Sequence, residues 1–130
     1  MTYYIYALYA PDTNQAFYVG QSRALPQRLR AHYCEGRQLY RNCMRRWGEW
    51  SFGRNSKASW IGSLVAKGMR PQVHILDTAE RRREARAIEA HWIVTLLWAG
   101  QPLQNNLRGQ VCWKDARDLA RAGLVNPWRI

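Results

Sequence analysis

The order of apolar and polar positions divides the chain into short strands and amphipathic helices. Residues 3–9, YYIYALY, are aromatic and aliphatic, a composition suited to a strand. Alternation places Tyr4, Tyr6 and Leu8 on one face and Tyr3, Ile5, Ala7 and Tyr9 on the other. Pro11-Asp12-Thr13-Asn14 is turn chemistry, and residues 16–20 return as a second strand, giving a hairpin. A helix is predicted from Leu25-Pro26, since proline is tolerated in a first turn, to about residue 33. Leu25, Leu29 and His32 or Tyr33 form its inner stripe, with Arg28 beside the stripe one turn before His32.

Residues 39–47 carry a short helical pattern, followed by a glycine-containing aromatic loop to about residue 55. Ser56 is placed to cap a helix over 57–67, with Trp60, Ile61, Leu64 and Val65 as its apolar stripe. Gly68 supplies the stop. Residues 72–76, QVHIL, read as a third strand. Asp77-Thr78-Ala79-Glu80 resembles a capping box opening the longest helix, to about Trp98. Gly100 and Pro102 end it. A short extended piece over 103–107 and a last helix over 113–122 follow. No repeat, low-complexity linker or domain boundary interrupts the pattern, so residues 1–130 read as one domain with a helical extension over 108–130.

Composition adds charge. The formal net charge is +11, and 17 of the 20 basic residues are arginine, whose planar fork suits phosphate and stacks on bases. A small, strongly basic domain points to nucleic acid. Arg37, Arg41, Arg45 and Arg46 are interleaved with Tyr40, Trp47, Trp50 and Phe52. Two readings stand for this region: a nucleic-acid contact surface, or a solvated helix with its rings in the core. Lys57 and the run Arg81-Arg82-Arg83 extend the candidate contact surface. No stretch approaches membrane-span length. The N-terminus lacks a basic leader region with a cleavage site, so a cytoplasmic protein is the default expectation. The three cysteines show no C-x-x-C spacing, which argues against a disulfide framework.

One position breaks the pattern. The long helix has an apolar stripe of Ala85, Ile88, Trp92 and Leu96, with Ile93 beside it, and Glu89 falls on or next to that stripe. A buried carboxylate needs a compensating cation or donors. Glu89 therefore either pairs with an arginine or holds a metal.

The motifs Tyr4-Ile5-Tyr6 and Tyr18-Val19-Gly20 are followed by Arg28 and His32 on a helix, Glu89 in Glu89-Ala90-His91-Trp92-Ile93, and then Asn105, with Asn106 as the alternative. In this order they resemble the GIY-YIG nuclease family over roughly residues 3–107. Tyr4 replaces the first motif's glycine, and Gln21 stands where some members have lysine. The resemblance implies an α/β fold: a small, mainly antiparallel three-stranded sheet flanked by helices. It also implies a metal-dependent endonuclease hydrolysing phosphodiester bonds in DNA. Tyr6 would be the general base, with Tyr18 positioning or sharing that role. Arg28 would stabilise phosphate charge, and His32 would orient Tyr6 or relay a proton. Asn105 would hold local structure or substrate. Glu89 alone is placed to hold a metal, so one divalent ion is expected, Mg²⁺ or Mn²⁺, rather than a two-metal site. Two alternatives remain open: an inactive nucleic-acid-binding module on the same fold, or a ribonuclease. A catalytic unit of this size finds its substrate with its own loops, as a homodimer, or through a partner. The last helix serves as an oligomer contact or as a lid on the core.

Overall fold

The structure is a computed structural model that describes residues 2–105. Its elements are β1 (Tyr3–Ala10), β2 (Gln15–Ser22), α1 (Leu25–Trp47), α2 (Lys57–Ala66), β3 (Gln72–Ala79) and α3 (Arg82–Trp98). The strands form one antiparallel sheet in the order β2-β1-β3, flanked by the helices, as the α/β reading expects. The β1–β2 turn closes at Asn14, which takes a left-handed φ of 54° that asparagine tolerates. Among the described residues no helix is long and apolar enough to cross a membrane. The expected helix over 113–122 and the extension over 108–130 lie outside the described residues.

Strand alternation divides the core between the two faces of the sheet. Ile5, Ala7 and Val19 pack with Ala85, Ala90, Ile93 and Leu96 of α3. Tyr6, Leu8 and Ala10 pack with Trp60, Ile61 and Leu64 of α2 and with Leu25, Leu29 and Tyr33 of α1. Leu8 pairs with Tyr18 but Tyr9 pairs with Ala16, so Phe17 is an extra residue in β2. This bulge gives Phe17 and Tyr18 the same cluster, although they are adjacent in sequence. Phe17 stacks on Trp60 with centroids 5.3 Å apart, and the Arg54 guanidinium lies 4.6 Å from the Trp60 centroid. Arg54 and Lys67 both reach Asp12 in the hairpin turn, which ties α2 and the loop before it to β1–β2.

Two expectations need correction. The helices expected over 25–33 and 39–47 are one helix of 23 residues. Gly36, near the expected break, is buried, and a Cβ there would lie 2.3 Å from Ile61. This glycine permits close packing of α1 against α2 and does not end the helix. The Asp77-Thr78-Ala79-Glu80 capping box does not form. Asp77, Thr78 and Ala79 pair with Ile5, Tyr4 and Tyr3, which extends β3 by three residues, and α3 starts at Arg82 without a side-chain cap. A ladder with β1 satisfies more backbone groups than one capping side chain could. Ser56 does cap α2, reciprocally with Ser59.

The outer edge of β2 is covered by the segment after α3. Ala16 N–H donates to Gln101 Oε1 at 2.7 Å, and Gln104 N–H donates to the Phe17 carbonyl at 2.7 Å. Val19 N–H donates to Asn105 Oδ1 at 3.0 Å, while Asn105 Nδ2 donates to the Val19 carbonyl at 2.6 Å. One primary amide thus occupies the place of a neighbouring strand.

Candidate active site

The adjacent strands bring Tyr6 and Tyr18 to one face, with ring centroids 6.3 Å apart. Tyr6 pairs with Gly20 across the ladder, and a Cβ at Gly20 would lie 2.7 Å from Tyr6 Oη. The Tyr-Val-Gly glycine therefore makes room for the Tyr6 ring. The first turns of α1 lie over both tyrosines, and the four-residue interval from Arg28 to His32 points both side chains the same way. Tyr6 Oη lies 2.6 Å from His32 Nε2, and the Arg28 guanidinium lies beside both phenols.

These contacts fix the protons. Arginine only donates, so the neighbouring Arg28 favours a Tyr6 oxygen that turns its own O–H toward His32 Nε2. His32 is 2 % exposed. Burial first, then the charges of Lys57 and Arg28, lower its pKa to about 3, so the ring is neutral at physiological pH. Burial and the neighbouring Tyr18 push the Tyr6 phenol above the ordinary tyrosine value, and Arg28 opposes them only in part. Tyr6 has no solvent-accessible surface. Before substrate arrives, the dyad is neutral and closed.

Glu89 is on α3, packed against the opposite face of the sheet, and is 5 % exposed. Burial raises its pKa to about 7, against the opposing effects of a hydrogen bond from Gln21 and the charges of Arg86 and Arg28. Its charge acts on Tyr6 as well, so the carboxylate lies within electrostatic reach of the dyad. Gln21 Oε1 is also buried and has no hydrogen-bond partner. A half-neutralised carboxylate beside an unpaired amide oxygen is a hard-oxygen donor set suited to one divalent cation. Among the described residues no group of three or more His, Cys, Asp and Glu side chains converges, so there is no multi-carboxylate cluster.

Residues 2–97 match the GIY-YIG catalytic domain. The chain belongs to the GIY-YIG nuclease family. Its family points to nuclease chemistry on nucleic acid, and members typically use a divalent metal. No curated protein and no solved structure matches the chain.

In this GIY-YIG domain Tyr6, Tyr18, Arg28 and His32 converge, Glu89 approaches from the other face, and Asn105 holds the β2 backbone at Val19. Arg37, Arg41, Arg45 and Arg46 are exposed on α1, and Arg81, Arg82 and Arg83 are exposed at the start of α3. Trp47 and Phe52 are exposed as well, whereas Trp50 is partly buried against Gly62. The rings of that region thus divide between the surface and a packed position. Lys57 differs from the other candidate contact residues. Its Nζ sits 5.0 Å from the Tyr18 centroid and 3.2 Å from Glu35, which places it at the site and not on the outer surface. Sequence reasoning gave Gln21 no role at the site, and it read Lys57 as an outer contact residue without placing it beside Tyr18. Gln21 directly follows the second motif, which is the one local signal that pointed to it.

Proposed function

We propose that this chain is a metal-dependent endonuclease that hydrolyses phosphodiester bonds in DNA. The observation that carries this reading is the 2.6 Å contact of Tyr6 with His32, with the Arg28 guanidinium beside both tyrosines.

The site's own groups suggest an order of events. A backbone phosphate draws Arg28 toward itself, because a charge-assisted bond to phosphate is stronger than one to a neutral phenol. Moving Arg28 opens Tyr6 Oη to a water. The phosphate's charge also offsets Arg28 and Lys57, the cations that suppress His32 basicity. As the water attacks phosphorus, Tyr6 takes its proton and passes its own proton to His32 Nε2. The phosphate–oxygen bond opposite the water breaks. Arg28, with Lys57 nearby, stabilises charge on the phosphoryl oxygens. Tyr18 holds Arg28 in register.

Glu89 would hold one divalent ion, Mg²⁺ or Mn²⁺, with Gln21 Oε1 as the second protein oxygen at hand. When bound, the ion supplies Lewis-acid stabilisation of phosphate oxygens. The exposed arginines of α1 and of the start of α3 carry the contact with flanking DNA.

The test compares wild type, Glu89→Gln and Tyr6→Phe on single-stranded, duplex and branched DNA and on RNA, with Mg²⁺, Mn²⁺ or EDTA. Cutting by wild type alone, abolished by EDTA, is the expected result. Retained binding without cutting by any of the three would identify a non-hydrolytic binding module, and preference for RNA would identify a ribonuclease.

A further inference from the structure

We propose that the cleft between α1 and β3 beside His32 is a nucleobase subsite that takes one unstacked base of the strand being cut. The proposal rests on the nuclease reading and adds a substrate class to it: DNA that is single-stranded, flapped or gapped near the scissile phosphate.

The cleft follows from how the sheet is covered. Val73 pairs with Leu8 and Ile75 with Tyr6, so all four belong to the face that carries the dyad. Leu8 and Tyr6 are buried under the helices, whereas Val73 is 37 % and Ile75 55 % exposed. Helices α1 and α2 lie over β2 and β1 and stop short of β3. The gap is a cavity of about 300 Å³ with apolar walls from Leu8, Leu29, Pro71 and Val73. His32 forms part of the lining, so an occupant would sit against the proposed catalytic pair. The Arg70 guanidinium lies 4.9 Å from the Tyr33 centroid, and both line the cavity together with Arg30.

The chemistry selects the occupant. The volume is at the small end of the range for ligand pockets, ~300–1,000 Å³, which fits a single base with its sugar. Apolar walls and a guanidinium–ring pair favour a flat aromatic group, since bases stack on rings and on arginine planes. The two arginines suit the phosphates on either side of that base. A second copy of this chain, with its +11 charge, would be repelled by the same arginines. A stacked duplex presents phosphates and groove edges, so only an unstacked base can enter an apolar cleft.

The full chain would be titrated in EDTA with oligodeoxynucleotides carrying 2-aminopurine at successive positions, single-stranded and in duplex. Val73→Trp fills the cleft from an exposed strand position, and Arg70→Ala removes half of the stacking pair. One probe position in single strands should change emission on binding wild type. Val73→Trp should abolish that change and weaken single-strand affinity about tenfold, with duplex affinity unchanged. An abasic residue at the responding position should weaken wild-type binding to the same degree, a test that needs no altered protein. Unchanged single-strand binding with Val73→Trp and with every abasic position would overturn the subsite, even if DNA is cut. A localised emission change without cutting under any ion would support the subsite and remove the nuclease reading.

Discussion

Replacing Glu89 by Gln should stabilise the metal-free protein at alkaline pH and do little at acid pH. Burial holds the Glu89 carboxyl at about 7, against an ordinary value of 4.5. The folded state therefore binds the proton more tightly than the unfolded state. The stabilising contribution is full below pH 4.5 and is lost as pH rises through 7. At roughly 1.4 kcal/mol per pH unit, that gap amounts to about 3 kcal/mol by pH 8. Glutamine has the same shape, can still accept from Gln21 and carries no charge to desolvate. Urea unfolding followed by tryptophan fluorescence, in EDTA, measures the difference. With a slope of ~1–3 kcal/mol per molar urea, the Glu89→Gln midpoint should exceed wild type by about 1–3 M at pH 8 and nearly coincide with it at pH 4.5. Adding Mg²⁺ or Mn²⁺ at pH 8 should then raise the wild-type midpoint and leave the variant unmoved. A midpoint difference that is the same at both pH values would refute the claim that a desolvated, uncompensated carboxylate sits at this position.

Four further outcomes follow from named contacts. Gly20→Ala forces a Cβ to within 2.7 Å of Tyr6 Oη, so it should cost about 1–3 kcal/mol of stability and displace Tyr6 from His32; a variant that melts like wild type and cuts at the same rate would refute the packing argument. Asn105→Ala leaves the Val19 N–H and carbonyl without their side-chain partner and should lower stability by about 1–2 kcal/mol, with faster amide exchange at Val19 as the local readout. Arg41→Gln combined with Arg45→Gln should make the salt dependence of DNA binding shallower by about two in log–log slope; an unchanged slope would take the outer face of α1 out of the interface. Asp12 is held at about 2, below its ordinary 3.8, by hydrogen bonding to Arg54 and then Lys67; its contribution is present above pH 3.8 and lost as pH falls toward 2, so Asp12→Asn should flatten that part of the acid-unfolding curve, and an equally steep curve would discount the bridge.

Much of the site was legible because its spacing is local. Strand alternation put Tyr6 on one face, and the four-residue interval joined Arg28 to His32. Glu89 stood out as a charge on an apolar helix stripe. What was missed depends on distant partners. Gly36 looks like a helix breaker until Ile61 lies against it. Asp77-Thr78-Ala79 looks like a cap until β1 offers it a ladder. Lys57 looks like a surface cation until α2 brings it over Tyr18. The Asp12–Arg54–Lys67 bridge joins residues up to 55 positions apart, and no local period encodes it. In each case a residue with a familiar local meaning acquired another from a contact made through the fold.

The segment from Gln101 to Asn105 bears on where this domain can be cut. The family match ends at residue 97, and a fragment made to that boundary would keep every strand and helix described except Trp98 at the end of α3. It would also strip the amide seal from β2 and bare a row of backbone donors and acceptors beside Phe17 and Val19. A bare edge of this kind templates sheet growth between molecules, so such a fragment should polymerise or precipitate where one ending at 105 stays dispersed. Five residues outside the matched domain, 101–105, therefore act as its selvedge, the finished border that keeps a woven sheet from running on into the next.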